Sequence, residues 1–273
     1  MEYRYILASD MDFTLLMPGE DISEENSRAI RALMDNKVAF TIATGRSSFL
    51  VGKFAERLGL DVPLITGNGG ALFDSRTRED IYSADFPEDK LRQVLGKVLK
   101  GRVNAALYST TGIYFTPEST RRFFCEDYNR DVPDSKKAPL FDIDRDFLKQ
   151  DKIPTFNKFL LIDPPEDLAL ELRSDPDLSI VSSGPSFYDI MAKGVSKGGA
   201  LMRLCDILNI PRENSFAIGD SENDISMLDM AGHGIAMANA DDITKKSASY
   251  ITARCEEFGF AKAVYEYILP MVT

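Results

Sequence analysis

The sequence predicts an α/β protein in which a Rossmann-like parallel sheet is interrupted by an inserted α+β segment. Three observations carry that expectation. The apolar runs at 5–9, 38–43 and 63–66 are continuous rather than alternating, as in strands covered on both faces. Segments with helical spacing separate them, and alternating strand and helix argue for a parallel sheet. Between about 83 and 191 the rhythm changes to short paired strands with hairpin-type turns, and after Lys193-Gly194 the first rhythm returns. One core, 1–82 and 192–273, is therefore expected from both ends of the chain, with 83–191 inserted as a second domain.

Each element has a local reason. After strand 5–9 come Ser23, Glu24 and Glu25, then Ile30, Leu33 and Met34 at helical spacing. That is a serine cap, two acids that complement the helix dipole, and one apolar stripe. Strand 38–43 ends at Thr44-Gly45-Arg46. A helix is expected over 47–58, with Gly59 suited to its C-terminal cap. Strand 63–66 runs into the turn Asn68-Gly69-Gly70, and 71–82 reads as a hairpin bent around 74–77. In the insert the pattern predicts a helix at 88–99, and strands 103–109 and 113–116 about Thr111-Gly112. A helix at 118–129, a strand at 156–162 and a helix at 166–173 follow, then strands 178–183 and 186–191 about Gly184-Pro185. The polar stretch 131–153, with Pro133 and Pro139, is expected to be an irregular loop. The returning core should supply a helix at 197–208, a strand at 215–219 and a helix at 223–230. Strands 234–237 and near 249–251 and a last helix at 257–268 complete it. No internal repeat or low-complexity tract is present.

Composition narrows the function classes. The chain has 273 residues and a formal net charge of -11. Such a surface repels nucleic-acid phosphates and anionic lipid, so neither is an expected partner. Cys125, Cys205 and Cys255 lie far apart with no CxxC spacing, which suits reduced thiols serving as small core residues. Charges begin at Glu2, with no basic segment leading into an apolar one. No apolar run approaches the roughly 20 residues that span a bilayer. The expectation is a soluble cytoplasmic protein, a monomer or weak homo-oligomer.

The chemistry concentrates at predicted strand ends. "DMDFT" (10–14) closes the first strand, Thr44 the second, and "GDSEND" (219–224) a later one, while Lys197 opens a helix. In an open α/β sheet, ligands bind outside the carboxyl ends of the strands. Adjacent strands would gather these four points. Asp10, Asp12 and Asp220 could share a hard cation, and Mg²⁺ suits a few carboxylates, waters and a substrate phosphate. Thr44 and Lys197 are donors fitted to a phosphate. Each piece alone has a plainer reading: an Asx turn, a solvated helix cap, a surface lysine. The combination, in order and at strand ends, favours phosphoryl chemistry, which needs charge neutralisation more than covalent machinery.

These residues resemble the haloacid dehalogenase superfamily. "DMDFT", "IATGR", "GVSKGGAL" and "IGDSENDISML" are similar to its four motifs in order. "GNGGALF" (67–73) and the fourth motif resemble the Cof-type phosphatase subfamily, which carries an α/β cap of the C2B type between its second and third motifs. The resemblance implies that Asp10 is a nucleophile accepting the phosphoryl group, and that Asp12 is general acid and then general base. It implies a Mg²⁺ site from the Asp10 and Asp220 side chains and the Asp12 carbonyl. Thr44, the Met11 and Gly45 amides, Lys197 and Asn223 would hold the phosphate, with Asp224 behind them orienting Lys197 or a metal-bound water. The implied activity is Mg²⁺-dependent hydrolysis of a small phosphorylated metabolite, most simply a sugar phosphate, with 83–191 acting as a specificity lid. A phosphomutase and a non-catalytic phosphometabolite sensor remain alternatives, and Asp10 and Asp12 weigh against the sensor. The sequence departs from the family at Phe13, where glycine is usual, so Phe13 either narrows the pocket or changes nothing. Asn68 is either a backbone turn residue or a contact to a substrate hydroxyl. Tyr188 and Asp189 lie where the insert returns to the core, one face of that strand toward the site. His233, between two glycines, reads as a surface turn. Arg121-Arg122 and Lys136-Lys137 read as solvated faces.

Overall fold

The computed structural model describes every residue except Met1, Glu2, Pro18, Glu20 and Pro185. Fourteen strands follow one another along the described chain: β1 (Tyr5–Ser9), β2 (Val38–Ile42), β3 (Leu64–Thr66), β4 (Ala71–Asp74), β5 (Glu79–Ser83), β6 (Asn104–Ser109), β7 (Gly112–Phe115), β8 (Leu140–Asp142), β9 (Lys158–Ile162), β10 (Leu178–Gly184), β11 (Phe187–Ala192), β12 (Ser215–Gly219), β13 (His233–Ala236) and β14 (Tyr250–Ile251). The central sheet has the order β14-β13-β12-β1-β2, and its pairings are all parallel. Residues β1, β2 and β12 contribute to it are almost all buried, which is why those runs are apolar throughout. Two clusters fill its faces. One contains Leu7, Phe40, Phe216 and Phe260, the other Ile6, Ala39, Leu201 and Met227.

The third predicted strand joins this sheet only by a parallel bridge between Ala43 and Ile65. Its main pairing is antiparallel, to β4, in a separate sheet β3-β4-β5. Residues 104–192 supply the whole of a six-stranded mixed sheet, β10-β11-β9-β6-β7-β8. Its core, around Phe86, Leu95, Phe156 and Phe159, is distinct from the two central clusters. Leu50, from the segment after β2, packs into a fourth cluster with Tyr108, Phe115 and Cys125. The Phe86 N–H donates to Phe156 O (2.9 Å) within the Phe86–Phe159 core.

Four local expectations change. The helix expected over 47–58 is a 3₁₀ turn, Ser48–Leu50, followed by an α-helix, Gly52–Leu58, with a break at Val51. Burying Leu50 among the mixed-sheet residues pulls the first turn out of line with the second. The expected loop 131–153 contains strand β8, paired in parallel with β7, and two 3₁₀ turns. Three residues are too few to show a period. His233 is not in a surface turn: it opens β13, opposite Phe216, and its ring stacks on Phe216 at 4.8 Å. The last helix starts late, passes through a π segment at Val264–Ile268 and ends at Val272. Pro270 has no N–H to give to the carbonyl of Glu266, which disfavours regular α bonding there. A short helix, Asp242–Lys246, was not anticipated.

The expected caps form: the Ser23 hydroxyl accepts from Asn26 N–H (3.1 Å), and Gly59 adopts φ +66°. Ser196, not anticipated as a cap, accepts from Gly199 N–H (3.1 Å). Cys125, Cys205 and Cys255 are buried. Pro185, at one of the expected turns, lies outside the described residues. Among the described residues no helix is long and apolar enough to cross a membrane.

Candidate active site

Three neighbouring strands end at the site. Asp10 follows β1, Thr44 lies two residues past β2, and Asp220 follows β12, with β1 between the other two. The Asp10 N–H donates to Ile218 O (2.8 Å), which locks the end of β1 to the end of β12. Lys197 is the first residue of the helix Lys197–Leu208. All four sequence motifs therefore meet.

Lys197 is fully buried, and its Nζ lies 2.5 Å from Asp10 Oδ1 and 2.7 Å from Asp224 Oδ1. Burial alone would depress this ammonium, but Asp10 and Asp224 outweigh it and raise its pKa. The second oxygen of Asp224 accepts from the N–H groups of Asp220 (2.9 Å) and Ser221 (3.0 Å). Asp224 is thus fixed from one side by backbone and holds Lys197 on the other.

Carboxylate oxygens of Asp10, Asp220 and Asp224 lie within 4.8 Å of one another. Burial pushes Asp10 well above the ordinary carboxyl range, against the pull of Lys197. Burial, with the nearby Asp224 charge, pushes Asp220 up to about 6. The Asp220 oxygens accept from Thr14 Oγ1 (2.8 Å) and Ser221 Oγ (3.0 Å). Three buried carboxyls face one buried ammonium, so in its ionised form the cluster would carry uncompensated negative charge that a hard divalent cation would offset. The donors are oxygens only, which fits such an ion.

Asp12 is not among these three closely spaced carboxylates. Arg46 grips it with two bonds, Nε to Oδ2 (3.0 Å) and Nη2 to Oδ1 (2.5 Å). This fork holds a carboxylate in one plane. The Arg46 N–H also donates to Thr44 Oγ1 (3.2 Å), which leaves the Thr44 hydroxyl proton free to point elsewhere. Sequence reasoning quoted Arg46 within a motif and gave it no role. Its signal was only its place after Thr44-Gly45.

The inserted sheet supplies the opposite wall. Lys158 on β9 is buried, and its Nζ lies 2.6 Å from Asp189 Oδ1 on β11 and 2.7 Å from the carbonyl oxygen of Gly45. Burial lowers the Lys158 pKa, against the pull of Asp189. Asp189 Oδ2 accepts from Asn68 Nδ2 (2.7 Å), and Asn68 Oδ1 accepts from Asn223 Nδ2 (3.1 Å). Asn68 is buried at φ +56°, with both ends of its amide engaged by protein. Lys158 was not foreseen, because one lysine in a strand has no distinguishing neighbours in sequence.

A cavity of about 240 Å³ lies between the two walls. Asp10, Asp12, Thr44, Gly45 and Asn223 line it together with Tyr108, Phe124, Leu160 and Phe187. Met11 is buried, its carbonyl oxygen accepting from Leu15 and Leu16 N–H, both 3.0 Å. Phe13 lines the cavity, is 45% exposed, and its backbone sits at φ +62°. That conformation suits glycine and costs a bulky residue roughly 1–2 kcal/mol. Arg121 also lines the cavity, which corrects its expected place on a solvated face. Its guanidinium lies 3.8 Å above the Phe124 ring, and its Nε has no hydrogen-bond partner among the described residues. Arg122 bonds Glu126 and Asp142 outside the cavity, and Lys136 bonds Glu56 across the junction.

The sequence from 7 to 264 matches the family of haloacid dehalogenase-like hydrolases. The chain is 31% identical over 265 residues to 5-amino-6-(5-phospho-D-ribitylamino)uracil phosphatase YcsE of Bacillus subtilis, spanning 97% of this chain and 96% of that one. Its fold superposes on a haloacid dehalogenase-like hydrolase from B. subtilis with a TM-score of 0.83, at 26% identity over 97% of this chain and 100% of the other. It superposes on the subclass IIB sugar phosphatase BT4131 with a TM-score of 0.78, at 25% identity over 96% and 98%. With motifs, fold and relatives in agreement, the chain belongs to the haloacid dehalogenase-like hydrolases and is a phosphoric monoester hydrolase.

Proposed function

We propose that this protein is a Mg²⁺-dependent phosphatase that hydrolyses small phosphorylated metabolites through an aspartyl-phosphate on Asp10. The observation that carries the reading is the cluster at the strand ends: Asp10, 2.5 Å from a buried Lys197, beside Asp220 and Asp224. Asp10 attacks phosphorus, and the bond from phosphorus to the leaving oxygen breaks. Asp12 gives a proton to that oxygen from a carboxyl oxygen that has left the Arg46 fork. Asp12 then takes a proton from water as the water oxygen attacks phosphorus, which frees phosphate and restores the Asp10 carboxylate. Thr44, the Met11 and Gly45 amides, Lys197 and Asn223 hold the phosphoryl oxygens. Mg²⁺, held by Asp10, Asp220 and the Asp12 carbonyl, supplies charge neutralisation for the phosphoryl group.

Residues 1–82 and 192–273 form the catalytic core in this reading, and 83–191 the cap that roofs it. A cavity of about 240 Å³ favours a small substrate. One relative is named for a phosphorylated ribitylamino compound and one neighbour for sugar phosphates. A phosphate on a polyhydroxylated carbon chain is the class we assign. Asp10→Asn tests the mechanism, because the amide is close to isosteric and a poor nucleophile. The folded variant should release no phosphate from sugar phosphates in Mg²⁺, and retention of more than a few per cent of wild-type turnover would rule Asp10 out. Recovery of an isomeric sugar phosphate instead of free phosphate would make the protein a mutase.

A further inference from the structure

We infer that the Lys158–Asp189 pair of the inserted domain is part of the phosphate site, as positioning residues, so that turnover of any phosphomonoester depends on a docked cap. This inference rests on the proposed reading of Thr44 and Asn223 as phosphate ligands. It goes beyond a lid that only selects substrates.

The pair reaches both phosphate-binding segments. On one side, Lys158 Nζ donates to Gly45 O at 2.7 Å. That carbonyl belongs to the Gly45–Arg46 peptide, whose N–H donates to Thr44 Oγ1 at 3.2 Å. Fixing the peptide plane fixes an acceptor demand on the Thr44 hydroxyl and turns its proton toward the cavity. On the other side, Asp189 accepts from Asn68 at 2.7 Å, and Asn68 accepts from Asn223 at 3.1 Å. Asn68 thereby holds the Asn223 amide in one orientation.

The energetics favour a built device over a chance contact. Lys158 and Asp189 are 2% and 0% exposed, and burying an ion pair costs several kcal/mol of desolvation that its own attraction barely offsets. Such a pair is weak as a stabiliser. Its remaining bonds go to the two loops, one from each member. There is little slack around Gly45: a Cβ there would lie 3.1 Å from Asn68 Oδ1 and 3.2 Å from Lys158 Nζ.

The test compares wild type with Lys158→Met and with the double variant Lys158→Met/Asp189→Asn. The single variant leaves a buried carboxylate without its cation and is at risk of misfolding. The double variant removes both charges and keeps an oxygen acceptor toward Asn68. Hydrolysis of p-nitrophenyl phosphate and of a hexose phosphate is measured in Mg²⁺, alongside thermal unfolding and calorimetric binding of inorganic phosphate. A misplacement near 1 Å costs on the order of 10²-fold, so kcat/KM for both esters should fall by about that factor and by the same factor. Phosphate affinity should fall with it, while the double variant unfolds close to the wild-type temperature. The inference is overturned if the folded double variant keeps p-nitrophenyl phosphate turnover within threefold of wild type. It is also overturned if only the hexose phosphate suffers, since the cap would then act on specificity alone. If the wild type hydrolyses neither ester, the phosphatase reading fails, and phosphate binding by the two folded proteins still decides the role of the pair.

Discussion

Asp12 has one carboxylate and two tasks in the proposed cycle, and its geometry depends on a residue 34 positions away, Arg46. The two-pronged contact fixes both the plane and the distance of the carboxylate. Arg46→Gln removes the fork and leaves Asp12, about one-third exposed, free to rotate into solvent. Loss of orientation without loss of the phosphate ligands should lower kcat by about 10–100-fold with a smaller change in KM. Steady-state kinetics on a single sugar phosphate would check this, and an unchanged kcat would show that Asp12 needs no such anchor. Phe13 presents the opposite case. It tolerates φ +62° at the cavity mouth, and its carbonyl is tied down by Asn239 Nδ2 at 3.0 Å. The family's usual glycine fits that backbone conformation, so Phe13 trades local strain for an aromatic wall.

Lys197 is placed by the packing of its helix as well as by its own contacts. The turn Gly67–Gly69 abuts the start of that helix, and Gly69 has φ +93°. A Cβ on Gly69 would lie 2.1 Å from the carbonyl oxygen of Ser196, the residue that caps the helix. No flexible side chain can yield there, because the obstacle is backbone. Gly69→Ala should therefore cost about 2 kcal/mol or more and push the helix start, with Lys197, away from Asp10. Chemical denaturation and phosphatase activity should fall together. A variant with wild-type midpoint and rate would show that the two segments separate without consequence. Gly198 meets the same constraint from the other side, with Ser226 O 2.2 Å from its notional Cβ. Two glycines thus allow three segments to converge behind one lysine.

Charge balance links the site to the stability of the whole molecule. Burial holds the Asp220 carboxyl at about 6, above its ordinary value of 3.8. The folded state therefore keeps this proton more readily than the unfolded chain does. The resulting destabilisation is absent below pH 4, grows as pH rises and is complete above about 6. In EDTA the melting temperature should fall across that window, and Asp220→Asn should flatten the fall. In the proposed reading Mg²⁺ binds the ionised cluster, so it should restore stability at pH 7 and do little at pH 4.5. At a hundred times its Kd it should contribute about 2.7 kcal/mol. Thermal scans from pH 4 to 8, with and without Mg²⁺, would check both directions. A Mg²⁺ effect of equal size at pH 4.5 and 7 would place the ion elsewhere. The same scale includes the junction between sheets. Lys136 with Glu56, Arg78 with the Lys136 carbonyl at 3.3 Å, and Leu50 within the mixed-sheet cluster tie the two parts together away from the cavity.

The sequence by itself determined the parallel sheet, its interruption and the cluster of Asp10, Thr44, Lys197 and Asp220. Continuous apolar runs imply strands covered on both faces, and adjacent parallel strands must present their carboxyl ends along one edge. Residues that follow such strands meet whatever the details of packing. Two caps were legible for the same reason, since Ser23 and Gly59 act within a turn of themselves. The tertiary structure alone decided the Arg46 fork on Asp12, the Lys158 contact to Gly45 across 113 residues, and the turn of Arg121 into the cavity. Arginine, lysine and aspartate occur on every surface, and neither period nor spacing distinguishes a buried one. The approach of the inserted sheet to the strand ends buries Lys158 and Asp189 and leaves the two charges to pair with each other.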